Sequence, residues 1–503
     1  MTAKQPSTLV IGAGIMGVGI AQVAAQAGHS VLLYDLRDGA AAQALLQLSK
    51  TLTALVAKGK LTAEAAAQTL ARITPIGELL EASGAGLVIE AIVEQLEAKR
   101  ALFAQLEAIV SADCMLATNT SSISVTAIAN GLKHPGRLVG MHFFNPVPLM
   151  KLVEVVSGLQ TDKAVAGAIF DLARNWGKTP VHARSTPGFI VNRIARPYYA
   201  EALALLQEQT ATPEVIDACL RGAGFRMGPC ELMDLIGHDT NFSVTRSVYE
   251  ANFFDKRFVP SLVQRELVDG GLLGRKSGRG FYDYADGAQR PAVAKFEPSD
   301  LPAASSLRVF GRGPVAELLA AILTQAGRAF ERQTHTTWVG LEVDGAQLRL
   351  TDGKTASELG HRVVVFDLPL SSENGSALAW APAVQANDEW TRRAGQWLRA
   401  LGFNPLRVAD TPGLVVARTI AMLINEAMDA VQQGVCTVEG ADAAMKLGVN
   451  YPAGPFEWLE RWDASAVMHV LDALDHVCRG ERYRISPGLR QRCWAGNLSS
   501  GAR

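Results

Sequence analysis

Residues 7–17, Ser-Thr-Leu-Val-Ile-Gly-Ala-Gly-Ile-Met-Gly, decide the fold of this 503-residue chain. The apolar run Ser7–Ile11 predicts a short strand, and the glycine-rich turn Gly12–Gly17 follows it directly. In a Rossmann-type turn, the first glycine permits the tight bend and the second lets the backbone approach a pyrophosphate. The third allows the next helix to pack closely on the strand. The stretch therefore predicts a Rossmann-type α/β domain with a dinucleotide site at its first turn.

A carboxylate at the end of the next predicted strand indicates which dinucleotide is bound. The apolar residues 31–34 predict this second strand, and Asp35 follows them. A carboxylate there accepts hydrogen bonds from the adenosine ribose diol and repels a 2′-phosphate, so Asp35 favours NAD over NADP. Arg37 is a weaker indication in the opposite direction, because a nearby arginine can bind the 2′-phosphate. We expect NAD as the cofactor.

The composition argues against several other classes of protein. With 48% hydrophobic residues and a formal net charge of −1, the chain has no overall charge that would attract nucleic acid or an acidic membrane surface. Its six cysteines are scattered without a C-x-x-C motif, which argues against structural zinc and a disulfide framework. The first predicted strand leaves no room for a signal peptide, and no apolar run reaches membrane-spanning length. We expect a cytoplasmic protein without a metal, a nucleic-acid partner or a membrane segment.

The stretch Met141–Glu154, Met-His-Phe-Phe-Asn-Pro-Val-Pro-Leu-Met-Lys-Leu-Val-Glu, supplies a candidate catalytic base. His142 closes a strand-like run at 137–141, and Glu154 lies in a second strand-like run at 151–156. A carboxylate that accepts a proton from one ring nitrogen fixes the tautomer and raises the basicity of the other nitrogen. Beside a nicotinamide ring, such a pair is suited to the oxidation of an alcohol. The alternative is a buried histidine at a strand end with a surface glutamate.

Polar residues at other strand ends favour the catalytic interpretation. Residues 88–94 and 115–119 predict two further strands, with Glu94 at the end of one and Ser121 just beyond the other. Ligands of open α/β sheets bind at the carboxyl ends of the strands. Because Glu94, Ser121 and His142 all lie at or just beyond such ends, His142 is better explained as a base than as a structural histidine.

Five motifs in one order resemble the L-3-hydroxyacyl-CoA dehydrogenases, the NAD enzymes of fatty-acid β-oxidation. They extend over residues 7–283 and are Gly12–Gly17, Ala91–Glu94, Thr118–Ser122, the His142 block ending in Lys151–Glu154, and Thr186–Arg193. The resemblance implies oxidation of the 3-hydroxyl of (S)-3-hydroxyacyl-CoA to 3-oxoacyl-CoA. It also implies that His142 is the general base and that Glu154 supports it.

The same resemblance assigns the other site residues. Ser121 and Asn192 would hydrogen-bond substrate oxygens and complete the catalytic set, and Lys58 would contact the CoA part of the substrate. The residues implied in NAD binding are Gly12, Gly14, Met16, Gly17, Asp35, Glu94, Lys99, Ser121, Asn145 and Lys276. The resemblance implies no metal.

The C-terminal half repeats part of the first half. Thr411–Arg418 resembles Thr186–Arg193, but Asn192 is replaced by Ala417 in the second copy. A methyl group cannot orient a substrate as an amide does, so we expect the second copy to be scaffold. The predicted domains are a Rossmann NAD-binding domain (1–185), a helical domain (186–283), a small α/β domain resembling a degenerate Rossmann domain (284–405), and a second helical copy with a tail (406–503). We expect the helical copies to pair within the chain. The sequence does not decide whether the protein also forms a homo-oligomer.

The sequence leaves the acyl chain of the substrate open. Long chains resembling this one act in bacterial aromatic-acid breakdown, where 3-hydroxyadipyl-CoA is oxidised, and in butyryl metabolism, where the substrate is 3-hydroxybutyryl-CoA. The rival interpretations are a sugar-acid dehydrogenase of the same superfamily and a non-catalytic relative that kept the fold. The Phe-Phe-Asn-Pro context at 143–146 and the intact Ser121, His142, Glu154 and Asn192 favour the acyl-CoA enzyme.

Overall fold

The protein was described from a computed structural model of the full chain. The structure describes residues 7–289, 291–371 and 373–500, with side chains as far as Ala495. The chain divides into two compact units, Met1–Arg193 with Ala430–Val449, and Ile194–Asp429 with Asn450–Arg503. The first unit therefore includes a segment of the second helical copy, which the sequence-based domain bounds assign to residues 406–503.

The first unit is built on an eight-stranded sheet. Its strands are β1 (Ser7–Ile11), β2 (Val31–Tyr34), β3 (Ile73–Pro75), β4 (Ala85–Glu90), β5 (Met115–Thr118), β6 (Leu138–Phe143), β7 (Leu152–Ser157) and β8 (Thr179–Arg184). They lie in the order β3-β2-β1-β4-β5-β6-β7-β8. Neighbours run parallel except β6 and β7, which are antiparallel. The order of the first six strands is that of a Rossmann fold, so the predicted fold class is confirmed.

Helices cover this sheet and bury its apolar strands. They are α1 (Ile15–Gln26), α2 (Ala40–Ala57), α3 (Ala63–Ala71), α4 (Leu96–Ile109), α5 (Val125–Ala129), α6 (Lys163–Asn175) and the short α7 (Val191–Ile194). Val10, Ile89 and Val139 of the strands are fully buried, as expected for a parallel sheet with both faces covered. Only glycine fits at Gly17, because a Cβ there would lie 1.7 Å from the carbonyl oxygen of Gly12.

Two strands differ from the predicted bounds in ways that affect the site. His142 lies inside β6 rather than after it, since β6 continues to Phe143. Strand β4 ends at Glu90, so Glu94 lies beyond the strand in the following loop. The apolar residues between Glu90 and Glu94 prolong the strand pattern in the sequence, although the backbone has already left the sheet.

The second unit contains the small α/β domain expected between the helical copies. Its strands are β9 (Leu307–Phe310), β10 (Glu331–Gln333), β11 (Gly340–Val343), β12 (Ala346–Leu350), β13 (Val363–Phe366), β14 (Ala377–Pro382) and β15 (Asn404–Arg407), in the order β10-β9-β11-β12-β13-β14-β15. This sheet is mixed, with β13 antiparallel to β14 and β14 parallel to β15. The last three strands thus repeat the directions of β6, β7 and β8.

The remaining helices form the two helical copies and cover the second sheet. They are α8 (Arg196–Gln207), α9 (Pro213–Gly222), α10 (Pro229–Ile236), α11 (His238–Ala251), α12 (Leu262–Asp269), α13 (Pro314–Gln325), α14 (Ala356–Leu359), α15 (Asp388–Ala400), α16 (Val416–Gln432), α17 (Val438–Gly448), α18 (Pro455–Trp462), α19 (Ala464–Cys478) and α20 (Pro487–Ser500). Of these, α17 belongs to the first unit. None of the helices in the described part of the chain is long and apolar enough to cross a membrane.

The two helical copies pair through reciprocal buried ion pairs within the second unit. Glu201 of the first copy accepts from Arg418 at 2.7 Å and from Arg482 at 2.9 Å, both in the second copy. Glu426, which has the place of Glu201 in the repeat, accepts from Arg257 of the first copy at 3.0 Å. Each copy therefore offers the same glutamate to an arginine of the other, as in a two-fold contact between identical subunits. The predicted pairing within the chain is confirmed.

Aromatic rings add an apolar contact to the same pairing. The Tyr451 ring of the second copy lies 5.4 Å from that of Tyr198 and 5.0 Å from that of Phe225, measured between centroids. Trp458 lies 5.6 Å from Phe225. These four large side chains are almost fully buried, so apolar burial and the ion pairs act together where the copies meet.

We expect Arg257→Met to destabilise the second unit strongly. The change keeps an apolar side chain of similar length but removes the buried cation from Glu426 and from Asp429, which Arg257 also contacts. Loss of one partner from a buried ion pair costs about 3–5 kcal/mol in the free energy of unfolding. Chemical denaturation monitored by circular dichroism measures this loss.

Arg246→Met is the matched control for that measurement. Arg246 pairs with Glu250 one helical turn away, and both side chains are more than half exposed, so its removal should cost less than about 0.5 kcal/mol. Equal shifts of the denaturation midpoint in the two variants would show that Arg257 does not hold the copies together.

Candidate active site

A cavity of about 650 Å³ opens at the carboxyl ends of β1, β2 and β4. Its lining includes the glycine-rich turn, Asp35, Arg37 and the loop after β4. A Cβ at Gly12 would lie 2.4 Å from a carbonyl oxygen of that loop, whereas a Cβ at Gly14 would meet nothing within 4 Å. Gly12 is therefore needed for the turn, and the backbone at Gly14 is open to a ligand. This is the arrangement that accommodates a dinucleotide pyrophosphate.

Asp35 lies at the edge of this cavity as a fixed carboxylate. It accepts the backbone N–H of Ala13 at 2.8 Å, and Arg37 donates to both of its oxygens at 2.9 and 3.1 Å. The hydrogen bonds from Arg37 lower the pKa of Asp35 to about 2, with smaller contributions from the backbone of Ala13. The group is therefore charged at neutral pH and can accept from a ribose diol. Glycine turn, cavity and carboxylate together fit NAD.

Glu94 organises the loop after β5. It accepts from the Thr120 hydroxyl at 2.6 Å and from the backbone N–H groups of Ser121 at 2.9 Å and Ser122 at 3.1 Å. Burial alone would raise the pKa of Glu94, but the charge of Lys99 and these hydrogen bonds bring it below its ordinary value. The structure thus brings Glu94 and Ser121 together, as their positions at neighbouring strand ends predict.

Lys99 lies beneath this loop and is only 1% exposed. Its ammonium is 2.5 Å from Glu90 and 3.3 Å from Glu94. The contacts that the structure gives it are with these two carboxylates, so an effect of Lys99 on a cofactor would act through Glu94. A direct contact of Lys99 with NAD stays a prediction.

His142 and Glu154 face each other across the antiparallel strands β6 and β7. His142 Nδ1 is 2.6 Å from Glu154 Oε2, and both side chains are buried. The ring of Phe144 lies 4.5 Å from that of His142, and the ring of Phe189 lies 5.8 Å from it, between centroids. The structure therefore places the two residues as a hydrogen-bonded pair with apolar walls.

The second oxygen of Glu154 caps the turn that leads into α7. Glu154 Oε1 accepts the backbone N–H groups of Ile190 and Val191, each at 3.0 Å. Asn192 follows these residues, and its amide lies 3.5 Å from the carbonyl oxygen of Ser121. One carboxylate thus connects the histidine with the segment that carries Asn192, and all four catalytic candidates lie in the first unit.

The other predicted site residues have different surroundings. Met16 lies near the start of α1, at the glycine turn, and Asn145 is exposed ahead of a cis peptide bond to Pro146. Lys58 is exposed at the end of α2. Lys276 lies in the second unit, where its ammonium is 2.5 Å from Asp239. Their contacts with NAD or CoA stay predictions.

Two residues that support the pair have no role assigned by the sequence, although Asn119 lies within the motif Thr118–Ser122. The buried Lys178 donates to the carbonyl oxygens of Val147 and Met150, which fixes the turn between the strands of His142 and Glu154. Burial lowers the pKa of Lys178 to about 8. Asn119 accepts the backbone N–H of Phe143 at 2.9 Å and so braces β6. Both contacts join segments that are distant in sequence, which is why motif spacing did not show them.

The second sheet contains a counterpart of strands β6, β7 and β8. Ala379 on β14 pairs with Leu406 on β15, just as Glu154 on β7 pairs with Val181 on β8. Leu406 and Val181 precede the two Thr-Pro-Gly motifs of the repeat by the same number of residues. Ala379 therefore holds the place of Glu154, and the second half has no counterpart of this carboxylate on its central strand.

Asp367 holds the place of His142 in the second half. It donates its backbone N–H to Ala379 O at 2.9 Å, and its carboxylate accepts the backbone N–H groups of residues 415–417 at 2.7 to 2.9 Å. Burial raises the pKa of Asp367 to about 6, although these hydrogen bonds oppose the shift. Asp367 thus caps the turn as Glu154 does, but no histidine is present. This agrees with the expectation that the second copy is scaffold.

Within the described ranges, no group of three or more His, Cys, Asp or Glu side chains could hold a metal ion. The cysteines there are free, and four of the six are buried.

Three family models match the chain. The 3-hydroxyacyl-CoA dehydrogenase NAD-binding domain matches residues 7–186, and the 3-hydroxyacyl-CoA dehydrogenase C-terminal domain matches residues 188–284 and 413–502. The 3-hydroxybutyryl-CoA dehydrogenase reduced Rossmann-fold domain matches residues 348–412. The two matches of one C-terminal model agree with the repeat found in the sequence.

Similarity to individual proteins extends over nearly the whole chain. The chain is 47% identical over 493 residues to the 3-hydroxyadipyl-CoA dehydrogenase of Escherichia coli (strain K12), covering 98% of each. A crystal structure of 3-hydroxybutyryl-CoA dehydrogenase from Escherichia coli K12 matches with a TM-score of 0.89 and 46% identity, covering 99% of each chain. The 3-hydroxybutyryl-CoA dehydrogenase of Clostridioides difficile is 41% identical over 276 residues, which are 55% of this chain and 98% of that protein.

Fold, cavity and comparisons define the protein as an NAD-dependent oxidoreductase. The chain belongs to the 3-hydroxyacyl-CoA dehydrogenase family. Its reaction is accordingly the NAD-dependent oxidation of a 3-hydroxyacyl-CoA. The predicted family, cofactor and reaction class are confirmed.

We expect Asp35 to make NAD a much better cofactor than NADP. Two like charges about 4 Å apart near a protein surface repel by up to about 4 kcal/mol, so kcat/KM with NAD should exceed that with NADP by roughly 10²-fold or more. Steady-state kinetics with both cofactors measure the ratio, which Asp35→Asn should reduce. Asp38→Asn, an exposed carboxylate in the same loop, is the matched control. Equal kcat/KM for the two cofactors in the unaltered protein would contradict the assignment.

Proposed function

We propose that His142 is the general base and Glu154 its orienting partner in the oxidation of (S)-3-hydroxyacyl-CoA. The observation that carries the proposal is the 2.6 Å separation of His142 Nδ1 and Glu154 Oε2 in a buried setting. A carboxylate can only accept, so Nδ1 keeps its hydrogen and Nε2 presents a lone pair. That lone pair takes the proton of the substrate 3-hydroxyl.

The two other catalytic candidates would position the substrate. The Ser121 hydroxyl and the Asn192 amide lie on segments that Glu94 and Glu154 fix, and both side chains are partly exposed. Hydrogen bonds from such groups would hold the 3-oxygen and the thioester oxygen, because these groups donate without carrying charge. When bound, NAD supplies the acceptor for the hydride that leaves C3.

The cofactor contacts are part of the proposal. Asp35 would bind the adenosine ribose, the turn around Gly14 would bind the pyrophosphate, and Glu94 with Ser121 would meet the nicotinamide side. We also propose that Lys58 contacts the CoA part of the substrate. Further NAD contacts are proposed for Gly12, Met16, Gly17, Lys99, Asn145 and Lys276. We also propose four functional domains, with the sequence-based bounds 1–185, 186–283, 284–405 and 406–503. A cytoplasmic location remains a prediction.

We propose a dicarboxylic substrate, 3-hydroxyadipyl-CoA, ahead of 3-hydroxybutyryl-CoA. The relative named for 3-hydroxyadipyl-CoA matches over 98% of both chains, including the duplicated half. The relative of Clostridioides difficile named for 3-hydroxybutyryl-CoA matches only 55% of this chain. Shared architecture does not separate the two compounds, because the crystal structure that matches 99% of this chain is named 3-hydroxybutyryl-CoA dehydrogenase. The proposal rests on the name of the 47% identical full-length relative, and it would place the reaction in aromatic-acid breakdown rather than in general fatty-acid β-oxidation.

Replacement of His142 by alanine should lower kcat by roughly 10²–10⁴-fold, the usual effect of a positioned general base. The affinity for NAD should hardly change, because His142 does not line the cavity of Asp35. Steady-state kinetics and calorimetric titration with NAD measure both quantities. His134→Ala, an exposed histidine of the same unit, is the control. Near-normal turnover of the His142 variant would place the base elsewhere.

Glu154→Gln should lower kcat by about 10²–10⁴-fold, because the amide can hold the wrong tautomer of His142. If its oxygen keeps the backbone N–H groups of Ile190 and Val191, its NH₂ group faces Nδ1. The ring then carries its hydrogen on Nε2 and cannot take a proton from substrate. Loss of the negative charge also disfavours the imidazolium, so the acidic limb of the kcat profile for oxidation should move to lower pH. An unchanged pH–rate profile with normal kcat would remove Glu154 from the proposal.

The substrate proposal is tested by steady-state kinetics with NAD and purified 3-hydroxyacyl-CoA thioesters. We expect kcat/KM for 3-hydroxyadipyl-CoA to exceed that for 3-hydroxybutyryl-CoA by at least about tenfold. This corresponds to a difference of ~1.4 kcal/mol in the stabilisation of the transition state. A monocarboxylic thioester with the same number of carbons is the control for chain length. A preference for the butyryl compound would favour the alternative substrate and leave the reaction class unaffected.

A further inference from the structure

The segment Ala430–Val449 comes from the second helical copy, yet it belongs to the compact unit of the NAD-binding sheet. Its helix α17 packs against β7 and β8. At the end of β8, Arg184 donates its backbone N–H to Val435 O at 2.9 Å and its guanidinium to Gln433 O at 3.2 Å. The segment is therefore bonded to the strand beside the one that carries Glu154.

Helix α17 covers the face of β7 on which Glu154 lies. Side chains alternate along a strand, so Leu152 and Glu154 share one face, and Val153 and Val155 share the other. Val153 and Val155 are part of the apolar core that includes α6. On the opposite face, a Cβ added to Gly448 at the end of α17 would lie 2.7 Å from Leu152 Cδ2.

Gly448 also lies against residues that touch the catalytic pair. A Cβ there would be 3.0 Å from Val191 Cγ2 and 3.7 Å from Phe144 Cε1. The backbone N–H of Val191 donates to Glu154 Oε1, and the Phe144 ring lies 4.5 Å from the His142 ring. The absence of a side chain at position 448 lets α17 approach closely, so that these neighbours keep their places.

A second contact of the same segment reaches the residue after Asn192. The buried Arg193 donates from its guanidinium to Gln433 Oε1 at 2.9 Å. In the second unit, Arg418 donates to Glu208 at 2.8 Å, and these residues have the places of Arg193 and Gln433 in the repeat. An acceptor at this position is thus present in both halves.

The second unit shows the same arrangement with the copies exchanged. Helix α9 of the first helical copy packs on β14 of the second sheet. A Cβ at Gly222 would lie 2.6 Å from the carbonyl oxygen of Ala377, at the place that Leu152 has in the first sheet. Each helical copy therefore covers the sheet of the other half. The second copy therefore covers β7 on the face that carries Glu154.

We propose that Gly448 and Gln433 of the second helical copy are positioning residues that hold the His142–Glu154 pair for the reaction. The inference rests on the proposed function, because it needs His142 and Glu154 to be the catalytic pair. The second copy would have no catalytic residue of its own. It would complete the active site of the first half from within the same chain.

The test compares Gly448→Ala with the unaltered full-length protein, using NAD and a 3-hydroxyacyl-CoA. The added methyl must displace Leu152 or Val191, and a shift of Glu154 loosens its bond to His142. We expect kcat to fall by about tenfold or more, because small misplacements of reacting groups have large effects. KM for NAD should stay within about twofold, and the acidic limb of the kcat profile should move to lower pH.

Gln433→Leu and Gln433→Glu form a second, less disruptive pair of variants. Leucine removes the hydrogen bond from Arg193 to the side chain at position 433 and should lower kcat by roughly threefold. Glutamate restores an acceptor and should recover normal kcat, as the Arg418–Glu208 contact of the second unit suggests. Should Gly448→Ala fail to fold, this pair decides the question, since Gln433 is exposed and its replacement leaves the core intact.

Gly167→Ala is the matched control. Gly167 lies in α6, which packs on the same strands, but a Cβ there meets nothing within 4 Å. Its kcat and pH profile should therefore be unchanged. Its melting temperature should be unchanged or slightly higher, because alanine is more stable than glycine within a helix.

Normal kcat in Gly448→Ala and Gln433→Leu would overturn the inference. The inference would also be overturned if kcat decreased only in proportion to the fraction of folded protein and the pH profile did not change. If His142→Ala is inactive while both positioning variants are normal, the inference fails and the proposed function stands. Normal turnover of His142→Ala would overturn both.

Discussion

The first half of the molecule depends on one buried carboxylate, Glu154, whose two oxygens are both hydrogen-bonded. One oxygen of Glu154 holds the Nδ1 of His142 at 2.6 Å, and the other accepts two backbone N–H groups at the start of α7. A carboxylate bonded in this way cannot rotate without leaving a buried polar group unsatisfied, which costs about 1–3 kcal/mol. The orientation of the histidine ring and the position of the segment that carries Asn192 are therefore set by the same side chain.

The second half shows which part of this arrangement is structural and which is chemical. Asp367, in the place of His142, accepts the backbone N–H groups at the start of α16, and Ala379 stands in the place of Glu154. The capping of the turn is thus preserved by a different residue, which directly follows β13, while the places of His142 and Glu154 hold an aspartate and an alanine. A turn at the junction of sheet and helix needs an acceptor in either half, whereas the hydrogen-bonded pair of His142 and Glu154 belongs to the first half.

Much of the first half could be predicted because its signals are local. The glycine turn, Asp35 and the strand-like runs around His142 and Glu154 each depend on a few consecutive residues, and the strand pairing then brings the pair together. The end of β4 was placed too late, since apolar residues continue past Glu90 into the loop. Lys178 could not be found, because a lysine that donates to two carbonyl oxygens leaves no pattern in the sequence. The position of α17 could not be predicted either, because this helix of the second copy packs on β7, a strand far away in the sequence.

The duplication separates two demands that a single helical domain would have to meet together. The reciprocal pairs Glu201–Arg482 and Glu426–Arg257 contribute little net stability over an apolar contact, but any misaligned pairing would leave a buried charge without its partner. Such pairs therefore fix how the copies meet, and the covalent connection keeps the second copy at high effective concentration. The second copy can then lose the amide of Asn192 without loss of fold. The residues of the second copy that contact the first half carry the pairing of the copies and, through α17, the packing on β7.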